Sequence, residues 1–288
     1  MKHNLGKELQ RSANQPGIPA QPTEEEIREH NATHIPFKAW CELCVAHKGR
    51  QDKHHRESHL QSEHYLVSFD FGYADRGTDD SLTVLFIHDR STKMMHAVPT
   101  AAKGGRSLPY LTQELCRFVT WLGHQEVCFR TDNEPSTLAL LDDCRKALKG
   151  LGVHTTVELV VPGNKEANGA AEVTVQTIRN QANLLIEQVE RSVGADGKVL
   201  FSALHPLYAW AVVHAGWLHC RFAVSNGETA YERCPGKEYH GRVCYFGETC
   251  MGYLKPTAKG LPSCSVEFGW AKHRAMMPTS FPATVVCS

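Results

Sequence analysis

The order of apolar and polar positions divides the middle of the chain into short strands and amphipathic helices. Three segments rich in β-branched and aromatic residues, separated by polar turns, predict an antiparallel meander. The strands predicted for this meander are 65–71, 82–88 and 93–99. Helices and strands then alternate, with the predicted bounds 108–122 (helix), 126–131 (strand), 135–149 (helix) and 154–161 (strand). This mixture indicates an α/β fold.

A long helix is predicted over 170–191, after the loop PGNKEANG at 162–169. Apolar residues recur in it every three or four positions, which predicts one buried stripe. The residues of this stripe are Ala171, Val175, Ile178, Ala182, Leu185 and Val189. Glu172 lies on the neighbouring polar row, near the first turn, so we expect it to reach into a cleft at the edge of the packed face. A second helix is predicted over 205–222.

Composition along the chain predicts four regions. Residues 1–23 are rich in Gln, Asn and Pro without periodicity, which is typical of a flexible leader. Residues 24–60 concentrate His and Cys, 61–235 carry the predicted strands and helices, and 236–288 hold short β-like pieces rich in Gly and Pro. We therefore expect a small metal-binding segment, an α/β core and a short β-rich tail.

Three carboxylates stand out by their positions in the predicted elements. Asp70 lies in the first strand, Asp132 directly follows the fourth, and Glu172 opens the long helix. If the strands are ordered as in the ribonuclease H fold, the fourth strand lies beside the first, and the two aspartates become neighbours. Converging carboxylates repel unless a hard cation such as Mg²⁺ or Mn²⁺ lies among them. The competing interpretation is that the turn at Asp132 only caps the following helix, since the chain holds 31 acidic residues.

The segments VSFDFGY, FRTDNEPS and KEANGAAE, around these three carboxylates, resemble the core of retroviral and retrotransposon integrases, with copia-type elements as the nearest group. Thirty-nine residues separate Asp132 from Glu172, against about thirty-five in that family. The segment AYERCPGK at 230–237 resembles the end of copia-type cores. The sequence departs from the family at Glu134-Pro135, where Asn is usually followed by Gly.

The resemblance implies a ribonuclease H-like mixed five-stranded sheet with flanking helices that binds two Mg²⁺ or Mn²⁺ ions. The implied activity is DNA end processing and strand transfer, with DNA and further copies of the chain as partners. It also implies that residues around and after Glu172 contact DNA. These residues are Asn164, Lys165, Asn168, Gln176 and Arg179. For Arg179, the alternative is a solvated position on the helix flank.

A group of histidines and cysteines precedes the core. Cys41 and Cys44 have the CxxC spacing that lets two thiolates bind one tetrahedral Zn²⁺, and His30 and His34 would share a helix face. Integrases carry a His-His-Cys-Cys zinc domain in this order. Only six residues separate His34 from Cys41, where the family usually has twenty or more. Two further histidines therefore compete as ligands, His54 and His55.

Charge at first argues against a nucleic-acid partner, because 31 basic residues balance 31 acidic ones. The balance is uneven along the chain. Residues 61–190 hold 12 basic and 17 acidic residues, and 191–288 hold 10 and 6. Because bound Mg²⁺ would add positive charge within the acidic core, zero net charge is compatible with a metal-dependent DNA enzyme.

The pattern of apolar residues predicts neither a signal peptide nor a membrane-spanning helix. The first residues form no apolar signal segment, and the most apolar run, 204–222, is interrupted by three histidines and an arginine. With an odd count of 11 cysteines, we expect a soluble, intracellular protein of cytoplasm and nucleus, without a membrane partner. The alternative functions are a catalytically inactive integrase derivative that binds nucleic acid or assembles with other subunits, and a related nuclease or transposase.

Overall fold

A computed structural model describes residues 22–49, 65–77, 79–160, 165–195, 197–234, 236–241 and 243–248, together with the backbone of 255–256 and 262–263. Within 165–170 it describes the helical backbone alone. The N-terminal elements are α1 (Glu24–Thr33) and α2 (Glu42–Lys48). The elements of the core follow in the order β1 (Leu66–Asp75), β2 (Ser81–Asp89), β3 (Met95–Thr100), α3 (Leu108–Leu122), β4 (Glu126–Thr131), α4 (Pro135–Gly150), β5 (His154–Leu159), α5 (Lys165–Ser192) and α6 (Pro206–Phe222). The last elements are β6 (Val224–Ser225), β7 (Glu228–Thr229), α7 (Ala230–Arg233), β8 (Lys255–Pro256) and β9 (Pro262–Ser263).

The central sheet has five strands in the order β3-β2-β1-β4-β5. Short turns join β1, β2 and β3 into an antiparallel meander. Because α3 carries the chain back across the sheet, β4 joins β1 in parallel, and β5 joins β4 in parallel after α4. The predicted meander and the predicted neighbourhood of the first and fourth strands are both confirmed. The chain has a ribonuclease H-like α/β fold.

Helices cover both faces of the sheet. Phe69 and Phe71 of β1 point to the face covered by α3 and α4, together with Phe129 of β4. On the other face, Phe86 of β2 packs with Ile178 of α5 and with α6. Because side chains alternate along a strand, Asp70 is directed to the α5 face of β1.

Several boundaries differ from the predicted ones. The third strand begins at Met95 because 89–94 form a tight turn, in which the Asp89 carboxylate accepts hydrogen bonds from the backbone N–H and the hydroxyl of Thr92. The helix predicted from 170 begins at Lys165, so five residues of the predicted loop are helical; Lys, Glu and Ala are good helix formers. In the tail, the described strands β8 and β9 pair antiparallel. None of the helices in the described ranges is both long and apolar enough to span a bilayer.

Candidate active site and metal centres

The pairing of β1 with β4 brings two of the three predicted carboxylates to one level. In the parallel ladder, Ser68 of β1 faces Arg130 of β4. Continued by two residues, this register sets Asp70 beside Asp132, the first residue after β4, and neighbouring strands lie about 4.8 Å apart. The two carboxylates therefore lie at the same level of the sheet, where β4 and its pairing with β1 end.

The environment of Asp70 disfavours a negative charge. Burial, and after it the charge of Asp132, raises the pKa of the Asp70 carboxyl from 3.8 to about 6. Glu134 adds to this rise, whereas the backbone N–H of Phe71 and the ammonium of Lys103 oppose it. Two neighbouring carboxylates disfavour each other's charge, and a divalent cation bound between them would reverse this effect.

A close approach between α5 and β1 directs the third carboxylate toward the same end of the sheet. A Cβ placed on Gly72 of β1 would lie 3.6 Å from a methyl group of Val175. Farther along both elements, the Asn183 side chain donates a hydrogen bond to the carbonyl of Asp75 (3.1 Å). The helix thus runs in the same direction as the strand. Glu172, one turn before Val175, lies back toward the level of the two aspartates.

Glu172 does not complete a compact cluster with the aspartates. Its side chain is exposed, while Asp70 and Asp132 are half-buried. Among the described residues, one set of three or more His, Cys, Asp or Glu side chains has its ligand atoms within 4.8 Å of one another, and that set is the N-terminal His/Cys group. A cation shared by all three carboxylates would therefore require the Glu172 side chain to turn inward.

A lysine–glutamate pair borders the aspartates, and it is missing from the residues predicted from sequence. The Lys103 ammonium lies 3.0 Å from both carboxylate oxygens of Glu134 and 5.6 Å from the ring centre of Tyr73. The hydrogen bond from Lys103, and then one from the hydroxyl of Ser136, lower the pKa of Glu134. A positive charge is thereby fixed at the rim of the acidic site.

Two sequence features could have revealed this pair. Glu134 stands two residues after Asp132, at the position where the integrase pattern usually has Gly. The other feature is topological: two antiparallel steps make β3 parallel to β1, so the loop that follows β3 leaves the sheet at the end where β1 ends. Lys103 lies in that loop.

The predicted DNA contacts on α5 form internal hydrogen bonds. Arg179 donates to the carboxylate of Asp75 (3.2 Å) and to the side-chain oxygen of Gln176 (2.9 Å). Both side chains are partly buried. The other predicted contacts are Lys165 and Asn168, in the part of α5 described by backbone alone, and Asn164, which lies outside the described residues.

Four buried side chains converge between α1 and α2. The Cys44 Sγ lies 3.3 Å from Nε2 of His30, and the Cys41 Sγ lies 3.4 Å from Nδ1 of His34. All four potential ligand atoms lie within 4.8 Å of one another. Ligand atoms of tetrahedral zinc are separated by about 3.3–3.8 Å, as Zn–N and Zn–S bond lengths require. The arrangement therefore fits one Zn²⁺ ion.

The two imidazoles of this centre are already in the neutral form that binds a metal, whereas the Cys44 thiol must lose its proton. Burial lowers the pKa of His30 to about 4 and that of His34 to about 3, with smaller contributions from neighbouring positive charges, so both imidazoles are neutral near pH 7. Burial raises the pKa of Cys44 to about 11. A bound metal would displace that proton and make the buried thiolate favourable. The competing ligands His54 and His55 lie outside the described residues.

The His/Cys segment packs against α5. The side-chain amide of Gln181 donates to the carbonyl of Thr33 (2.8 Å), and that of Gln188 donates to the carbonyl of Asn31 (2.9 Å). Leu184 packs against the two cysteines. The His/Cys centre is therefore packed onto α5, one of the helices that cover the central sheet.

The fold and its acidic sheet end define a ribonuclease H-like α/β protein with a separate His/Cys centre. No protein-family model and no curated protein matches the chain. Among solved structures, the chain is similar to the HTLV-2 integrase catalytic core domain in complex with magnesium. The trimeric form has 13% identity and a TM-score of 0.41, covering 61% of this chain and 98% of the core domain. For the dimeric form the identity is also 13%, the TM-score is 0.38, and coverage is 62% and 99%.

A cryo-EM structure of the simian T-cell lymphotropic virus intasome, in complex with the PP2A regulatory subunit B56 gamma, is also similar. The identity is 14% and the TM-score is 0.44, and the match covers 77% of this chain and 74% of that chain.

Proposed function

We propose that this chain is an integrase-type polynucleotidyl transferase of the copia-type retrotransposon group, which nicks DNA ends and joins them to a target DNA. The observation that carries the proposal is the β1–β4 register, which pairs Ser68 with Arg130 and, continued by two residues, brings Asp70 level with Asp132. The direction of α5, which brings Glu172 back toward that level, supports it further. The three segments that resemble integrase motifs surround these same residues.

Asp70, Asp132 and Glu172 would hold two Mg²⁺ or Mn²⁺ ions. The two aspartates fit as donors, because hard divalent cations prefer carboxylate oxygens and because burial and then Asp132 raise the pKa of Asp70; Glu172 would join them by turning its side chain inward. When bound, such ions activate the attacking water or 3′-hydroxyl and stabilise the leaving oxygen of the phosphodiester.

The chain's own polar residues would position the DNA around this centre. The Lys103 ammonium donates a hydrogen bond to the Glu134 carboxylate (3.0 Å). This fourth carboxylate, beside the three proposed ligands, would therefore stay paired with Lys103. Arg179 would exchange its Asp75 partner for a DNA phosphate. Further contacts would come from Asn164, Lys165, Asn168 and Gln176. We also propose that the enzyme acts on DNA as a homo-oligomer, in cytoplasm and nucleus.

The decisive experiment is a Mn²⁺-dependent nicking and strand-transfer assay on short duplex DNA with the full chain. We expect activity in the parent and none in Asp132→Asn, because the amide cannot replace the carboxylate as a ligand. Asp80→Asn is the matched control, since Asp80 is an exposed aspartate outside the site, and it should retain activity. If the parent neither cleaves DNA nor binds Mn²⁺, the enzymatic proposal is lost, and an inactive nucleic-acid-binding or assembly protein replaces it.

We also propose that His30, His34, Cys41 and Cys44 hold one structural Zn²⁺. Metal analysis of the purified chain should give one zinc per chain in the parent and none in Cys41→Ser/Cys44→Ser. The control is Cys128→Ser, a half-buried cysteine on β4, which should keep its zinc. Unchanged zinc in the double variant would contradict this site.

A further inference from the structure

Two free cysteines face each other between α3 and α4. Cys116 lies on α3 and Cys144 on α4, with their Sγ atoms 3.3 Å apart. Both helices cover the same face of the sheet and contribute to one apolar cluster. A disulfide needs the sulfurs at about 2.05 Å, so they must approach by about 1.3 Å.

The two thiols differ in access to solvent. Cys144 is fully buried, whereas Cys116 is partly exposed. Cys116 also lines a surface cavity of about 480 Å³ that includes Tyr110, Gln113 and Ala147. A small oxidant can therefore reach Cys116 from solvent, while Cys144 is reached through Cys116.

The two thiols also differ in acidity. The contact between the two sulfurs, in which either thiol can donate, lowers the pKa of Cys116. That same contact, and then burial, raise the pKa of Cys144. Because burial disfavours a thiolate more at Cys144 than at the partly exposed Cys116, Cys116 is the thiol that ionises more readily, and the thiolate is the reactive form of cysteine.

We propose that Cys116 and Cys144 form a redox-active dithiol that small peroxides convert into a reversible disulfide between α3 and α4. Cys116 is the residue that meets the oxidant, and Cys144 is the resolving residue. The inference rests on the thiol geometry and is independent of the proposed DNA chemistry.

The reaction balances in two steps. The Cys116 thiolate attacks one oxygen of hydrogen peroxide, the O–O bond breaks, and hydroxide leaves and takes up a proton to become water, which gives a sulfenic acid. The Cys144 sulfur then attacks the Cys116 sulfur, the S–O bond breaks, and a second water leaves with the Cys144 proton. Two thiols lose two electrons and two protons to the peroxide, and an added dithiol reductant reverses the change.

The test uses the full reduced chain with hydrogen peroxide as the probe. After treatment, free thiols are blocked with N-ethylmaleimide, and a non-reducing digest is mapped by mass spectrometry. We expect a peptide pair linked through Cys116 and Cys144 that lacks two hydrogens and disappears after dithiothreitol. Absence of this pair at peroxide levels that oxidise other cysteines would overturn the proposal, and the parent alone suffices for that result.

Variants separate the two roles. Cys144→Ser should leave Cys116 as a sulfenic acid that dimedone labels, whereas Cys116→Ser should leave Cys144 unlabelled because it is buried. Cys128→Ser, on β4, is the matched control and should form the disulfide as the parent does. Dimedone labelling of Cys144 in Cys116→Ser, equal to that of Cys116 in Cys144→Ser, would contradict the assigned order of attack.

Discussion

Replacing Asp132 by Asn should stabilise the metal-free protein while it abolishes activity. Asp70 has a pKa of about 6 in the folded chain, against 3.8 for an ordinary aspartate, owing to burial and then to Asp132. Folding must therefore overcome the cost of an ionised Asp70 at neutral pH. The substitution would remove the repulsive charge, and the amide oxygen it introduces could still accept the hydrogen bond that the Glu134 N–H donates to Oδ1 of Asp132 (3.3 Å).

The size of the effect follows from the pKa difference. A shift of about two units corresponds to roughly 3 kcal/mol at about 1.36 kcal/mol per unit. Burial is the largest cause and solvent screens part of the repulsion, so about 0.5–1 kcal/mol falls to Asp132. Because the folded pKa lies above the unfolded one, the favourable contribution of Asp70 is complete below pH 3.8 and is lost as pH rises through about 6.

Urea unfolding of the parent and Asp132→Asn at several pH values tests this reasoning. The buffer contains neither Mg²⁺ nor Mn²⁺, and EDTA is avoided because it competes for zinc. We expect the variant to be more stable near pH 7.5 and the gain to vanish near pH 4, where the folded parent already has a protonated Asp70. Asp80→Asn should show no such pH-dependent gain. A variant no more stable than the parent at pH 7.5, or a gain that is equal at both pH values, would refute the carboxylate pairing.

Two further predictions concern other charged groups. Glu190→Gln should lower the free energy of unfolding by roughly 3 kcal/mol, because it leaves Arg76 opposite a neutral amide and both side chains are almost fully buried. The control Glu158→Gln, at an exposed ion pair, should lower it by less than about 1 kcal/mol. Equal decreases for the two variants in urea unfolding would contradict the prediction. Lys103→Met should raise the pKa of Asp70 and Glu134, because a neighbouring positive charge is lost. The acid limb of the pH profile of the Mn²⁺-dependent rate should then move to higher pH in Lys103→Met and keep its position in Lys103→Arg. An unmoved acid limb in Lys103→Met would show that the charge of Lys103 does not act on the two carboxyls.

The aspartate pair was predictable because it depends on local patterns and one topological rule. Asp70 and Asp132 each lie at a definite position in or after a strand, and a crossover helix makes β4 join β1 in parallel. The Lys103–Glu134 pair depends on where two irregular loops meet in space. Strand and helix periodicity carries no information about the path of a loop, so the position of Glu134 and the topology of β3 indicate which loops approach the site, and the 3.0 Å contact itself is a finding of the structure.

The long helix illustrates a second limit of pattern reading. The predicted stripe was confirmed at Ile178, Ala182 and Leu185, which are fully buried. Gln181 and Leu184 are equally buried on another side of the helix, where the His/Cys segment covers them. A single apolar stripe predicts one packed face of the helix. The middle of α5 instead has two packed faces, one against the sheet and α6 and one against the His/Cys segment. The side-chain amide of Gln181 is buried, and its N–H group donates a hydrogen bond to the backbone carbonyl of Thr33.

The same helix is the common support of both candidate metal centres. The described part of the His/Cys segment, 22–49, contributes Cys41, Leu43 and Cys44 to one apolar cluster, and α5 adds Leu184 to it. Glu172 and Gln188 are sixteen residues apart on α5, which corresponds to about 24 Å of helix. The His/Cys centre is buried, whereas Glu172 is exposed to solvent. Because α5 contacts the His/Cys segment and carries Glu172, the position of α5 on the sheet links the two candidate centres.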